Sequence, residues 1–122
     1  MTCSFRVNLR NFWYRDSMAD HIEPVGWSGY QPKTRTGMEF CRQLKKKFDA
    51  LSSDSSTWVI WDMNPHQELR VVLFTKDDNF SMKMFKDKVQ KEILPMFNNI
   101  EVFGRKLAYF EKYKLTEFNI SA

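Results

Sequence analysis

Hydrophobic and polar positions alternate strictly at the start of the chain. In "CSFRVNL", residues 3–9, Cys3, Phe5, Val7 and Leu9 fall on one side, with Ser4, Arg6 and Asn8 on the other. A period of two marks a strand with one buried face. The alternation then stops. Residues 10–35 carry no regular period and are broken by Pro24, Gly26, Gly29 and Pro32, which predicts a long loop. That loop also holds Phe12, Trp13, Tyr14, Trp27 and Tyr30. Long loops in small domains are either functional or packed down. One so aromatic is expected to lie against the domain, and the second face of the sheet is the apolar surface open to it.

After Thr36 the apolar spacing changes to threes and fours. Met38, Cys41, Leu44, Phe48 and Leu51 form one stripe and predict a helix over 36–51. Thr36 with Glu39 three residues on fits a capping box, and "SSDSS" at 52–56 ends the helix. Two runs rich in Val, Ile, Trp and Leu, 57–62 and 69–75, flank Asn64-Pro65 and predict an antiparallel hairpin. A second helix is expected over 80–97, capped by Asn79 or Ser81. Its stripe is Met82, Phe85, Val89, Ile93 and Met96, and Pro95 weakens its last turn. "NIEVF", 99–103, reads as a further strand. Gly104-Arg105 then leads into "KLAYFEKY", which fits strand or helix, and residues 113–122 read as a C-terminal tail.

The resulting order, β–α–β–β–α–β, is that of the ferredoxin-like split βαβ plait. The expected fold is therefore a single α+β domain over 1–122. Two helices cover one face of an antiparallel sheet, and a long aromatic-rich insertion follows the first strand. Trp58 and Trp61 lie three apart in a predicted strand, so one faces the core and the other the far side.

Placing Phe5, Val7 and Leu9 under the helices sends Arg6 and Asn8 to the open face. Arg70, Val72 and Phe74 join them from the third strand, Val59 and Trp61 from the second, and Phe103 from the last. Arginines among aromatics suit single-stranded nucleic acid, because bases stack on rings while cations meet phosphates. The third strand, "ELRVVLFT", lacks the Lys/Arg-Gly-Phe signature of RNA-recognition domains. A second candidate surface is the basic run Arg42, Lys45, Lys46 and Lys47, which Lys33 and Arg35 extend upstream. Phosphate contacts there would be steeply salt-dependent, and a solvated helix face fits the same pattern. The third is the aromatic loop, where Trp13, Tyr14, Trp27 and Tyr30 would anchor a protein partner.

Composition narrows the classes. At 122 residues, 43% hydrophobic and 28% charged, the chain is one domain's length and too apolar for disorder. A net charge of +4 excludes an acidic mimic of nucleic acid and leaves nucleic acid or acidic partners open. Cys3 and Cys41 have no CxxC spacing and are neither a zinc site nor a disulfide framework. A reduced intracellular protein, in cytoplasm or nucleus, is the expected setting. The first ten residues carry charge without a signal-peptide pattern, and no apolar run approaches the ~18 residues of a membrane span. No membrane association is expected.

Histidine chemistry would rest on His21 and His66 alone, with no ligand cluster around either. The one enzymatic alternative is a metal-dependent nuclease built on Glu39, Asp62 and Glu68. In it Arg70 stands where such sites use a lysine, and arginine does not give up its proton. There is no glycine-rich phosphate loop, and no cofactor is expected. The leading expectation is a small non-enzymatic module for protein–protein interaction: an inhibitor, adaptor or subunit, with self-association included. An RNA or single-stranded nucleic-acid-binding domain is the alternative.

Overall fold

In the computed structural model, the described residues are 1–8, 12–16, 22–24, 27–28, 31–32, 35–63, 68–103, 105–109 and 115–121, with side chains described for 1–8, 38–61, 68–103 and 115–121. The alternating start forms β1, Thr2–Asn8. It pairs antiparallel with β7, Glu68–Thr75, and β7 pairs with β6, Ser56–Met63. On its other side β1 pairs antiparallel with the last strand, β10, Thr116–Ser121. The main sheet therefore runs β10-β1-β7-β6.

Alternation fills one face with Cys3, Phe5, Val7, Leu69, Val71, Leu73 and Trp58, all buried. Helix α1, Arg35–Leu51, covers that face with Phe40, Leu44 and Phe48. This stripe corrects the expected one. Met38 is 58% exposed. At about 100° per residue it lies about 120° round the helix from Leu44, whereas Phe40 lies within about 40°. Helix start falls at Arg35, and the capping side chain of Thr36 lies outside the described side chains. At the far end Ser52 Oγ donates to the Phe48 carbonyl and accepts from Trp58 N–H, tying α1 to β6.

The second helical run is α2, Met82–Lys88, then a π-helical turn, Val89–Ile93, then α3, Leu94–Phe97. Ser81 is the N-cap, its hydroxyl accepting from Met84 N–H at 3.2 Å. The π turn has a local cause. Pro95 has no N–H, and its ring would clash with a carbonyl four residues back. Just before it, Leu94 N–H reaches five residues back to the Val89 carbonyl, widening the turn. Phe85, Val89, Ile93, Met96 and Phe97 are buried against the sheet and α1. The protein is thus a mixed α+β fold, with a four-stranded antiparallel sheet and two helical runs on one face.

Three expectations are corrected outside the central hairpin. Residues 10–35 are not simply loop. They contain β2 (Phe12–Asp16), β3 (Ile22–Pro24), β4 (Trp27–Ser28) and β5 (Gln31–Pro32). The run 99–103 does not join the main sheet. Its strand β8 (Glu101–Val102) and β9 (Arg105–Tyr109) form a second antiparallel sheet, β3-β2-β9-β8. Segment 105–109 is accordingly strand rather than helix. The place beside β1 goes instead to β10, from the supposed tail, because Phe118 stacks on Phe5 at 5.5 Å and packs edge-on against Phe85 at 5.7 Å.

Candidate functional site

Trp58 and Trp61 divide between the faces as their spacing requires. Trp58 is fully buried, and Trp61 is 60% exposed on the side away from the helices. A β-bulge sets Trp61 apart: Ile60 pairs with Val71 and Asp62 with Arg70, so Trp61 is the extra residue. Bulges bend a strand and re-aim a side chain. The Trp61 ring meets that of Phe74, with centroids 5.9 Å apart and planes at 49°. Val59 and Val72 pair across the two strands beside them, and Val72 is only 3% exposed. Phe74 itself remains 37% exposed. The expectation that residues 10–35 cover this face is not met at these two rings.

The opposite side of the same face is polar. Thr2 pairs with Phe74 and Ser121, and Ser4 with Val72 and Asn119. Thr2, Ser4, Asn119 and Ser121 line a shallow trough of about 270 Å³ together with Trp61, Arg70, Val72 and Phe74. One wall offers aromatic surface, the other hydroxyls and an amide, and Arg70 supplies a cation. A planar ring can stack on the first wall and hydrogen-bond with its edge to the second.

Arg6 is Arg70's partner in register but is turned to another task. Its side chain is 11% exposed, Nη1 donates to the Glu68 carbonyl at 3.3 Å, and Nε lies 3.3 Å from Glu117 Oε2. A buried cation such as Arg6 needs a counter-charge. A bulge in β10 supplies it. Ser4 pairs with Asn119 and Arg6 with Thr116, so Glu117 and Phe118 face one residue, and Glu117 takes a left-handed φ of 53°. Arg6 is therefore a structural cation beneath the trough's end, not the exposed contact expected for it.

The remaining expected site residues do not converge here. Arg42, Lys45 and Lys46 are exposed on α1, on the helical side of the sheet, and Lys47 is half-buried. Arg42 pairs with Glu39, whose other oxygen accepts from Gln43 Nε2 at 2.9 Å. Of the carboxylates of the nuclease alternative, Glu39 stands apart from Glu68. Glu39 lies on α1, while Glu68 follows the alternation of the open face, and the Asp62 side chain lies outside the described ones. Among the described residues no group of three or more His, Cys, Asp or Glu is placed to hold a metal ion. Trp13 and Tyr14 fall in β2 and Trp27 in β4, but their side chains, and Tyr30 and His66 altogether, lie outside the described residues. Phe103, expected on the open face, lies instead at the β8–β9 turn beside Met38, Glu39 and Arg42.

Burial pushes both thiols up, Cys3 in the core and Cys41 to about 11, so neither is a ready nucleophile at neutral pH. Among the described residues no helix is long and apolar enough to cross a membrane. The polar wall was the part of the trough not anticipated. Thr2 and Ser4 follow from the alternation of β1, and Asn119 and Ser121 from that of "FNIS" once this segment is placed in the sheet. No family model, curated protein or solved structure matches this chain.

Proposed function

We propose that the chain is a small binding module whose open sheet face takes single-stranded nucleic acid, RNA being the form the polar-walled trough suits best. The observation that carries this reading is the exposed Trp61–Phe74 ring pair with Arg70 beside it, facing hydroxyl and amide groups across one trough. Each stacked base gains about 1–3 kcal/mol. Hydroxyls and an amide can both donate to and accept from base edges. The strand order β10-β1-β7-β6 supports the finer reading of the fold as a ferredoxin-like plait, with β10 in the place of the fourth strand. That plait presents its sheet face to single strands in RNA-recognition domains. Two free thiols, one fully buried, favour an intracellular setting.

The electrostatics give this mode a signature. Arg6 is matched by Glu117, so few cations remain on the face for phosphates. Affinity should come from stacking, with a salt slope near −1, on the order of one or two phosphate contacts. The test is titration of oligouridylate and oligothymidylate at several salt concentrations. Trp61→Ala should weaken binding roughly 5- to 150-fold, and a Lys45/Lys46/Lys47→Ala variant should leave it unchanged. Absence of binding at low salt, or binding lost in the lysine variant and kept in Trp61→Ala, would overturn the proposal.

A further inference from the structure

A second surface stands on the other side of the domain from the trough. Phe103 sits in the β8–β9 turn with a φ of 49°, a conformation that a bulky side chain avoids. Its ring is 56% exposed all the same. Met38, which the core stripe of α1 leaves out, is 58% exposed. Among the described residues these two line one depression with Glu39 and Arg42, about 320 Å³ in volume. The Arg42 side chain is 78% exposed. Lys45 follows Met38 and Arg42 along the same ridge of α1, at the helical steps of four and three, and Lys46 lies next to it.

We infer that this depression docks an acidic segment of a partner protein, seating a bulky apolar side chain between Met38 and Phe103. Charge and composition both favour that occupant. Over residues 38–50 the helix carries four basic side chains against two acidic ones. Met, Phe and Arg are the residue types enriched at the centres of protein interfaces. A nucleic-acid backbone fits less well. The depression has apolar walls, and Glu39 is inside it, with Arg42 already paired to that carboxylate. Acidic residues flanking the apolar anchor would instead meet Lys45 and Lys46 and share Arg42. The site does not depend on the open sheet face, so the two can be tested separately.

The probe is a fluorescein-labelled amphipathic peptide of Glu, Ala and Leu with leucines on one face. Its controls are a scrambled peptide of the same composition and a version with Lys in place of Glu. Phe103→Gly is the key variant. Glycine accepts the left-handed backbone, so the ring is removed while the turn is retained. Phe103→Gly and Met38→Glu should each weaken the acidic peptide about tenfold or more. Arg42→Glu should weaken it too and gain binding to the Lys peptide. Oligonucleotide binding should be unchanged in all three variants. The inference is overturned if the acidic peptide does not bind, if it binds no better than its scrambled control, or if Phe103→Gly and Met38→Glu leave it unaffected. It is equally overturned if these variants weaken oligonucleotide binding instead, which would assign the ridge to phosphate.

Discussion

Among the described residues Trp58 carries the largest buried side chain, and its indole N–H has no acceptor. The ring stacks with Phe48 at 6.1 Å and with Phe85 at 6.2 Å. A buried donor left unpaired costs about 1–3 kcal/mol, and an apolar group of the same shape recovers that amount. Replacing Trp58 by benzothienylalanine isolates this term, since sulfur takes the place of N–H and the bicyclic outline stays. The variant should be more stable by about 1–3 kcal/mol. Trp58→Phe recovers the same amount but gives up two buried ring carbons at about 0.8 kcal/mol each, plus the hole they leave, and should fall within about 1 kcal/mol of the parent. Trp58→Ala should lose about 3–5 kcal/mol. Urea unfolding followed by far-UV circular dichroism is the assay, because it does not depend on the indole being replaced. With a slope of about 1–3 kcal/mol per molar, the benzothienyl midpoint should rise by about 1 M. An unchanged or lower midpoint would refute the reasoning and mean that the indole N–H is satisfied in the folded protein.

Three further outcomes can be checked by the same methods. Glu117→Gly should destabilise less than Glu117→Ala: both lose the contact to Arg6, but only alanine keeps the left-handed backbone penalty of about 1 kcal/mol. Equal losses in urea would show that the backbone at this bulge is unstrained. Ser81→Ala removes the cap on Met84 N–H and should cost about 1 kcal/mol, lowering the thermal midpoint by about 4 °C. For Cys41 the folded thiol keeps its proton up to about 11, against an ordinary value of 9.0. Its contribution to stability is therefore intact below pH 9 and declines as pH rises toward 11. Unfolding midpoints at pH 8 and 10.5 should show this decline, and Cys41→Ala should make it shallower.

The legible parts of the sequence were those where a period runs unbroken. The alternation of residues 3–9 gave the inward face of β1, and the three-residue spacing of Trp58 and Trp61 gave their division between faces. The stripe of the second helix survived the π turn, because Phe85, Val89 and Ile93 precede or span the widened turn. The fourth place in the sheet was missed for a physical reason. In "TEFNIS" the bulge at Glu117 adds a residue and breaks the alternation at the start of the strand, so only Phe118 and Ile120 remain in phase. Strands β2 to β5 are two to five residues long and interrupted by Pro and Gly, too short to show a period. Half of the candidate trough was readable: Trp61, Arg70, Val72 and Phe74 follow from strand parity. The fate of Arg6 was not readable, because it depends on a carboxylate brought from the other end of the chain by a bulge.

That distant partnership has a consequence for synthesis. Strand β1 is made before either of its neighbours, yet it lies inside the sheet and needs both, residues 68–75 and residues 116–121. At roughly 5–20 residues per second, several seconds separate the arrival of its first neighbour from the second. During that interval the nascent chain can hold β6, β7 and β1 together with one flank of β1 unpaired, and a row of free backbone donors and acceptors recruits other strands. Strand β10 is thus a closing seal. Truncation before residue 116 would leave the nascent state permanently open, exposing Phe5 and Phe85 where Phe118 should lie.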